Sequence, residues 1–331
     1  MKEEYVSLIS DSLNDVPCGT FLIKHLNGAS ENGSALTQQL TVKTKGKGKI
    51  ECFSVYPGIE VSFHQYLAEN VRFHHEKISS VLEITYCLKG RIGWNMHQGS
   101  SVYLGLGDLC LHSMASCFNS EMILPLGYYE GITVTADLCR LKNSCPEILS
   151  DAGFDADKIY QKFCKAEKPI GIPGSTETEA IFSPLYSAKE NFRIPYCKLK
   201  AIEALLYIQK LETNEEKELV QYGSMQTELI KEVRDFLVNH LDERFTIEEL
   251  AKKYLINTSS LKSVFKAVYG MPIASYIKEY RMHRAMKLLI ETNDSIAEIA
   301  KKVGYETQGK FTKAFKQSMQ ILPTEYRRLY R

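Results

Sequence analysis

The sequence predicts an α+β chain. An N-terminal antiparallel β-sandwich or barrel with accessory helices precedes an all-α domain of two helix-turn-helix motifs joined by a long helix. Three observations predict it. Apolar residues between Ile50 and Leu138 recur with period two between closely spaced turn residues. From Gln226 onward the period changes to that of a helix, with helix-capping residues at the expected places. A stretch near the C-terminus also occurs twice in register: Ala251 and Ala300 stand 49 residues apart, and Leu261/Phe311, Phe265/Phe315 and Tyr276/Tyr326 are each 50 apart. Repetition at a fixed period marks a duplicated structural unit.

Residues 1–49 open with a short amphipathic helix carrying Tyr5, Leu8, Ile9 and Leu13 on one side. Pro17-Cys18-Gly19 breaks it, Asn27-Gly28 and Asn32-Gly33 make turns, and the basic, glycine-rich run from Lys43 to Lys49 reads as a solvated loop. Strands are predicted at Val61–Leu67, Val81–Leu88, Ser101–Leu104, Leu109–His112 and Ile132–Val134. Pro57-Gly58, Lys89-Gly90, Gln98-Gly99, Gly107-Asp108 and Leu126-Gly127 separate them. Many short strands, each with a face to bury, make a sandwich or small barrel.

Helical periodicity returns at Asp155–Lys165, with Ile159, Phe163 and Cys164 inward, and at Glu177–Phe192, interrupted near Pro184. Cys197–Leu211 carries Leu199, Ile202, Leu205, Leu206 and Ile208 on a broad apolar face. That face serves either packing within the chain or pairing of subunits. Glu212–Gly223, acidic and polar, is the natural linker.

Each C-terminal copy has the grammar of two short helices around a tight turn. Thr246 with Glu249, and Ser295 with Glu298, are capping boxes. Ile247, Leu250 and Ala251 in the first copy, and Ile296, Ile299, Ala300 and Val303 in the second, form the apolar stripes. Asn257 caps a second helix with Leu261, Val264, Phe265 and Val268 inward. Gly304 supplies a left-handed turn before a helix with Phe311, Ala314 and Phe315 inward. Ile273–Glu291 reads as one connecting helix with Ile277, Tyr280, Ala285, Leu288 and Leu289 on its apolar side.

The residues left facing outward on the second helices are Ser259, Ser260, Lys262, Ser263 and Lys266, then Gln308, Gly309, Lys310, Thr312, Lys313 and Lys316. Glutamine pairs bidentately with adenine, lysine reaches guanine, and hydroxyls reach bases or phosphates. One basic helical face is ordinary solvated surface; two in register point to double-stranded DNA. The connecting helix, about 28 Å long at 1.5 Å per residue, is close to the roughly 34 Å between successive major grooves on one DNA face.

Over Gln226–Arg331 the chain resembles the DNA-binding domain of the AraC/XylS family of transcription regulators. The resemblance is carried by Leu250-Ala251, Leu261-x3-Phe265-Lys266, Arg281-x3-Ala285-x2-Leu288-Leu289, Ile299-Ala300-x3-Gly304-Tyr305, Phe311-x3-Phe315-Lys316 and Pro323-x2-Tyr326-Arg327. Three positions depart from the family pattern. Leu255 replaces the usual glycine of the first turn, Gly309 a small hydroxyl residue, and Gln320 the glycine before the final Pro-x-x-Tyr-Arg. Glu83, Gly90 and Tyr103-Leu104-x-Leu106-Gly107-Asp108 resemble the cupin-like sensor half of the same family.

The resemblance implies a cupin-like sensor domain over 1–195, a dimerisation helix and linker over 196–225, and the DNA-binding domain over 226–331. It implies a homodimer that binds duplex DNA and works with RNA polymerase, activation being favoured over repression. A small-molecule effector would bind in the sensor, with strand-borne His64, Tyr66, Glu83, Trp94, His97 and Tyr103 as the candidate polar lining of a mostly apolar pocket.

Charge distribution agrees with a polyanion-binding tail. Residues 226–331 hold 19 Lys+Arg against 13 Asp+Glu, or +6, and residues 1–225 hold 22 against 27, or −5. The nine cysteines all lie in the first 197 residues without a Cys-x2-Cys pair, so zinc-finger spacing is absent. Cys87, Cys110 and Cys139 sit in apolar runs and read as buried small hydrophobes. Cupin enzymes bind metal through His-x-His, a Glu and a later His. Here Glu83 and His112 suit two of those places, but His74 and His75 are adjacent and would point to opposite faces of a strand. No metal site, cofactor or enzyme activity is therefore expected. Neither a secretion signal nor an 18-residue apolar run is visible, so a cytoplasmic protein without membrane contact is expected. Two other readings stand beside this one: a cupin-type metal enzyme with an appended helical domain, and a DNA-binding regulator that needs no ligand.

Overall fold

The structure, a computed structural model, describes residues 9, 11–26, 41–95, 99–118, 120–212 and 218–331. It divides into two units, Met1–Ser224 and Met225–Arg331.

Two sheets build the first unit. One has the order β1 (Phe21–Leu26), β3 (Lys47–Tyr56), β4 (Ile59–Leu67), β11 (Tyr128–Asp137), β6 (Val81–Gly90), β9 (Leu109–Ser113) and β12 (Ile170–Ile172). The other runs β13 (Tyr222–Gly223), β8 (Ser100–Leu104), β7 (Ile92–Asn95), β10 (Glu121–Ile123), β5 (Asn70–His74) and β2 (Thr41–Lys43). Of the described pairings only β1 with β3 is parallel.

Strand alternation makes the larger sheet serve two cores. Its outward set, including Ile59, Val61, Phe63, Leu82, Ile84, Tyr86, Leu109, Leu111, Ile132 and Val134, packs against helices through Leu138, Leu141, Ile181, Phe182, Leu185, Ala201, Leu205 and Ile208. The rings of Tyr86 and Phe182 stack across this layer at 4.8 Å. Its other face meets the smaller sheet, where Ile50, Cys52, Tyr66, Cys87, Cys110 and Tyr129 pack with Val71, Phe73, Ile92, Trp94, Val102 and Leu104. The α+β sandwich predicted for this half is what the chain forms.

Several elements differ from expectation. The run Lys43–Lys49 is not a loop: Lys43 ends β2, residues 44–46 turn, and Lys47–Lys49 begin β3. A Cβ on Gly46 would sit 2.3 Å from the Leu67 carbonyl oxygen, so the glycine brings two backbones together. Helix Thr176–Ser187 passes through Pro184, and the break falls at Ala188-Lys189. The carbonyl of Ala180, which Pro184 cannot engage, accepts from Lys200 Nζ at 2.9 Å. The next helix starts at Glu190 and runs through Pro195 to Lys210, burying Cys197, Ala201, Ile202, Ala204, Leu205 and Ile208 within the unit. Leu199, predicted inward, is 63% exposed. Cys139 is exposed on helix Leu138–Asn143, not buried in a strand. The last residues of the expected linker, Tyr222-Gly223, form an edge strand on β8.

Ile9 and Leu13 bury against Val16 and Tyr128. Tyr5, Leu8, Asn27-Gly28, Asn32-Gly33 and His97 lie outside the described residues.

The second unit holds the helices Ser224–Asn239, Ile247–Lys253, Thr258–Tyr269, Ile273–Glu291, Ile296–Lys302, Gln308–Met319 and Pro323–Tyr330. The connecting helix has the predicted bounds and 19 residues. It buries Ile273, Tyr276, Met282, Ala285, Met286, Leu288 and Leu289, while Tyr280 is exposed. Among the described residues no helix is long and apolar enough to cross a membrane.

Candidate functional site

Both predicted capping boxes form. Thr246 accepts from the Glu249 backbone N–H at 3.2 Å and Ser295 from Glu298 at 3.2 Å, while each glutamate accepts the cap's own N–H at 2.7 Å. Asn257 caps the second helix of the first copy, accepting from Ser260 at 2.7 Å. Thr307, not read from the sequence as a cap, does the same for the second copy through Lys310 at 3.2 Å. Below the caps one aromatic contact recurs in both copies. Phe265 meets Tyr276 edge-on at 5.6 Å and 79°, and Phe315 meets Tyr326 at 5.6 Å and 79°.

An arginine braces the approach to each copy, a role that spacing alone did not reveal. Arg281 donates to the carbonyls of Leu241 and Glu243 at 2.7 and 3.0 Å. Arg327 donates to those of Leu289 and Asp294 at 3.1 and 2.6 Å. Each ties a helix in the body of the unit to the backbone that leads into a helix-turn-helix.

Leu261, Val264, Phe265 and Val268 are buried on the first copy's second helix, and Phe311 and Phe315 on that of the second. The opposite faces are open. Ser259, Lys262, Ser263, Lys266, Gln308, Gly309, Lys310, Lys313 and Lys316 are exposed; Ser260 and Thr312 are half-buried. Nothing lies within 4 Å of a Cβ built on Gly309. Lys310 pairs with Glu306, which also meets Arg244 at 3.5 Å. Lys262, Lys266, Lys313 and Lys316 have no ion pair among the described residues. A row of unpaired ammonium groups, hydroxyls and an amide, held on rigid capped helices, is chemically suited to phosphates and base edges.

A second cluster lies between the two sheets of the N-terminal unit. Registers of β4, β11, β6 and β9 place Glu60, Thr135, Glu83 and His112 in one transverse row, with Ser62, Thr133, Thr85 and Cys110 in the next. Buried Thr85 and Thr133 share a hydroxyl hydrogen bond at 3.1 Å. His64 contacts Ser62 Oγ at 2.8 Å through Nε2 and the Tyr66 hydroxyl through Nδ1. Burial holds the His64 imidazole down at about 4, with nearby Glu83 opposing. Burial alone would raise the Glu83 carboxyl, but His112, at 3.0 Å, brings it down to about 2. Trp94 packs beside His112, ring centroids 5.8 Å apart.

His64, Tyr66, Glu83 and Trp94 of the predicted effector lining thus share this interior. Tyr103 does not. It lies on the far face of the smaller sheet over Gly93, whose Cβ would come within 2.4 Å of the Tyr103 ring, because Val102 and Leu104 take the inward positions. Among the described residues, Trp94 Nε1, His112 Nδ1 and the Tyr129 hydroxyl are buried with no hydrogen-bond partner. Cavities of about 460 Å³ beside Arg281 and Tyr305 and about 250 Å³ beside Ser79 and Leu138 include none of the predicted lining.

The expectation of no metal site rested on finding only two ligands. The structure adds Cys117, on the short helix Met114–Cys117 after β9, to Glu83 and His112. His75, dismissed for its adjacency to His74, ends beyond β5 with Nε2 3.5 Å from the Cys117 sulfur. Neither spacing is local, so no motif announces it.

A family model described as a helix-turn-helix domain matches residues 250–329. The chain is 30% identical over 242 residues to the lactose operon transcription activator of Staphylococcus xylosus, covering 70% of this chain and 78% of that one. It is 34% identical over 145 residues to an uncharacterized HTH-type transcriptional regulator, YisR, of Bacillus subtilis, where it spans about half (48%) of the relative's length. The HTH-type transcriptional activator AarP of Providencia stuartii is 30% identical over 107 residues, which are 32% of this chain and 79% of AarP. Among solved structures, the C-terminal domain of the response regulator yesN from Fusobacterium nucleatum matches at 31% identity and TM-score 0.28, covering 29% of this chain and 95% of that one.

Proposed function

This chain belongs to the AraC/XylS family of transcription regulators, and from that premise we propose that its two second helices read adjacent major grooves of one DNA site. Ser259, Ser260, Lys262, Ser263 and Lys266 contact the first groove; Gln308, Gly309, Lys310, Thr312, Lys313 and Lys316 contact the second. The observation that carries this reading is the repeat itself: two capped helix-turn-helix units, each with an apolar inner face and an open polar outer face. Lysines supply the sequence-independent attraction to phosphate, whose strength falls steeply with salt. Gln308 and the lysines near the helix starts supply base discrimination.

The N-terminal unit modulates this binding through a small effector held between the sheets near His64, Tyr66, Glu83 and Trp94. Two of the relatives carry names of activators, which favours activation as the outcome. Such coupling requires the effector to favour one arrangement of the regulator over another. A homodimer acting with RNA polymerase is the working assembly.

Selection of full-length protein against a randomised duplex library tests the DNA reading. Enrichment of two short motifs one helical turn apart is expected. Enrichment of a single motif, with neither copy's substitutions altering a second, rules out paired-groove binding.

A further inference from the structure

We propose that Glu83, His112, Cys117 and His75 form a binding site for one divalent transition-metal ion of the zinc class. The site stands independently of the DNA-binding reading. Glu83 and His112 are direct partners on adjacent strands, Glu83 Oε2 lying 3.0 Å from His112 Nε2. The Cys117 sulfur lies 3.5 Å from the same carboxylate oxygen, and the ligand atoms of all three residues fall within 4.8 Å of one another. His75 approaches from beyond β5, in the other sheet, and places Nε2 3.5 Å from the sulfur.

The separations of 3.0, 3.5 and 3.5 Å are close to three edges of a tetrahedral coordination shell, which His75, now near the sulfur alone, completes when the ion binds. Bonds of about 2.3 Å to sulfur and about 2.05 Å to nitrogen or oxygen imply sulfur-to-nitrogen or sulfur-to-oxygen edges of about 3.6 Å and nitrogen-to-oxygen edges of about 3.3 Å. An ion pair accounts for Glu83 and His112, but leaves unexplained why a thiol meets the same carboxylate oxygen and a second imidazole meets that thiol. Charge balance favours the metal as well. One thiolate and one carboxylate with two neutral imidazoles neutralise a divalent ion, so a buried site carries no net charge. Thiolate and imidazole together select zinc-like ions over magnesium or calcium. His112 and Cys117 are buried whereas Glu83 and His75 are half-buried, so the ion reaches the site from their side. With His75 engaged, the ion joins residues of both sheets.

Cobalt(II) titration of the chelator-stripped, reduced full-length protein tests this. Saturation at one ion per chain is expected, with ligand-field absorption, a thiolate-to-metal charge-transfer band, and displacement of both by zinc. Cys117→Ser should abolish the charge-transfer band, and Cys139→Ser, which changes an exposed cysteine, should preserve it. His75→Ala should retain the band but bind cobalt about tenfold or more weakly, which serves as the test if Cys117→Ser fails to fold. A wild-type protein without a thiolate band at saturating cobalt, or a band that survives Cys117→Ser, would overturn the site.

Discussion

The two helix-turn-helix copies share helix lengths, side-chain caps and one Phe–Tyr contact, yet they solve the same backbone problem with different residues. Each copy has two left-handed positions, one in the turn and one after the second helix. Leu255 and Gly270 occupy them in the first copy, with φ of 51° and 79°. Gly304 and Gln320 occupy them in the second, with φ of 77° and 63°. Glycine therefore stands at one position per copy, but not at the equivalent one. Surroundings explain half of this pattern. Leu255 is 94% exposed, so its side chain meets only solvent. Gly304 is buried, and a Cβ there would meet the Leu241 carbonyl oxygen at 1.9 Å and the Arg281 guanidinium at 2.6 Å. The first turn needs only an unusual φ, which leucine adopts at some cost. The second needs that φ and the space of a missing side chain. Gln320, which follows the helix Gln308–Met319, donates its side-chain amide to the Gln317 carbonyl at 3.1 Å, a contact glycine cannot make.

Removing the shared part should hurt both copies alike. Phe265→Ala and Phe315→Ala should each cost about 3–5 kcal/mol of unfolding free energy, read by urea denaturation. Unequal losses would mean that the matching aromatic contacts do not carry matching stability. Changing the turn should then separate the copies. Gly304→Ala should cost about 2–4 kcal/mol, from backbone strain plus the clash, whereas Leu255→Ala should change stability by less than about 0.5 kcal/mol. Equal effects in the same assay would refute the distinction between the two turns.

A functional contrast comes next. Lys313→Ala should weaken binding to the selected DNA site by about 1–3 kcal/mol if it reads a base. Loss confined to the salt-dependent component would reassign Lys313 to a phosphate, and an unchanged affinity would remove it from the interface. The smallest effect is a gain. Leu255→Gly and Gln320→Gly should each stabilise by up to about 1 kcal/mol, because relief of the left-handed strain exceeds glycine's entropy cost. A drop in midpoint would show a compensating side-chain contact at Leu255 and, at Gln320, that its hydrogen bond to Gln317 outweighs the strain.

The C-terminal half was legible because its signals are local. A cap and its glutamate are three residues apart, an apolar stripe repeats within two turns, and duplication doubles every signal. The helix bounds at Ile273 and Glu291 followed directly. What spacing could not show was the arginine bracing, since Arg281 and Leu241 are 40 residues apart in the chain. In the N-terminal half, period-two patterning identified β4, β6, β8, β9 and the middle of β11, but not the ten-residue β3 inside the larger sheet nor β5, β7 and β10 inside the smaller one, which are held by pairing more than by their own sequence. Reading Lys43–Lys49 as a loop failed for the same reason. Its glycines permit close packing against another strand as readily as flexibility.

Composition, periodicity and repetition sufficed to specify a strand-rich first part, an all-helical second part and the outward faces of the C-terminal helices, because each depends on residues within a few positions of one another. Strand register and the turn after β9 were needed to bring Glu83, His112, Cys117 and His75 together and to send Tyr103 to the far side of its sheet. Sheet pairing joins residues with no fixed separation along the chain, and a shift of one residue in register would turn the strand-borne Glu83, His112 and Tyr103 to the opposite face.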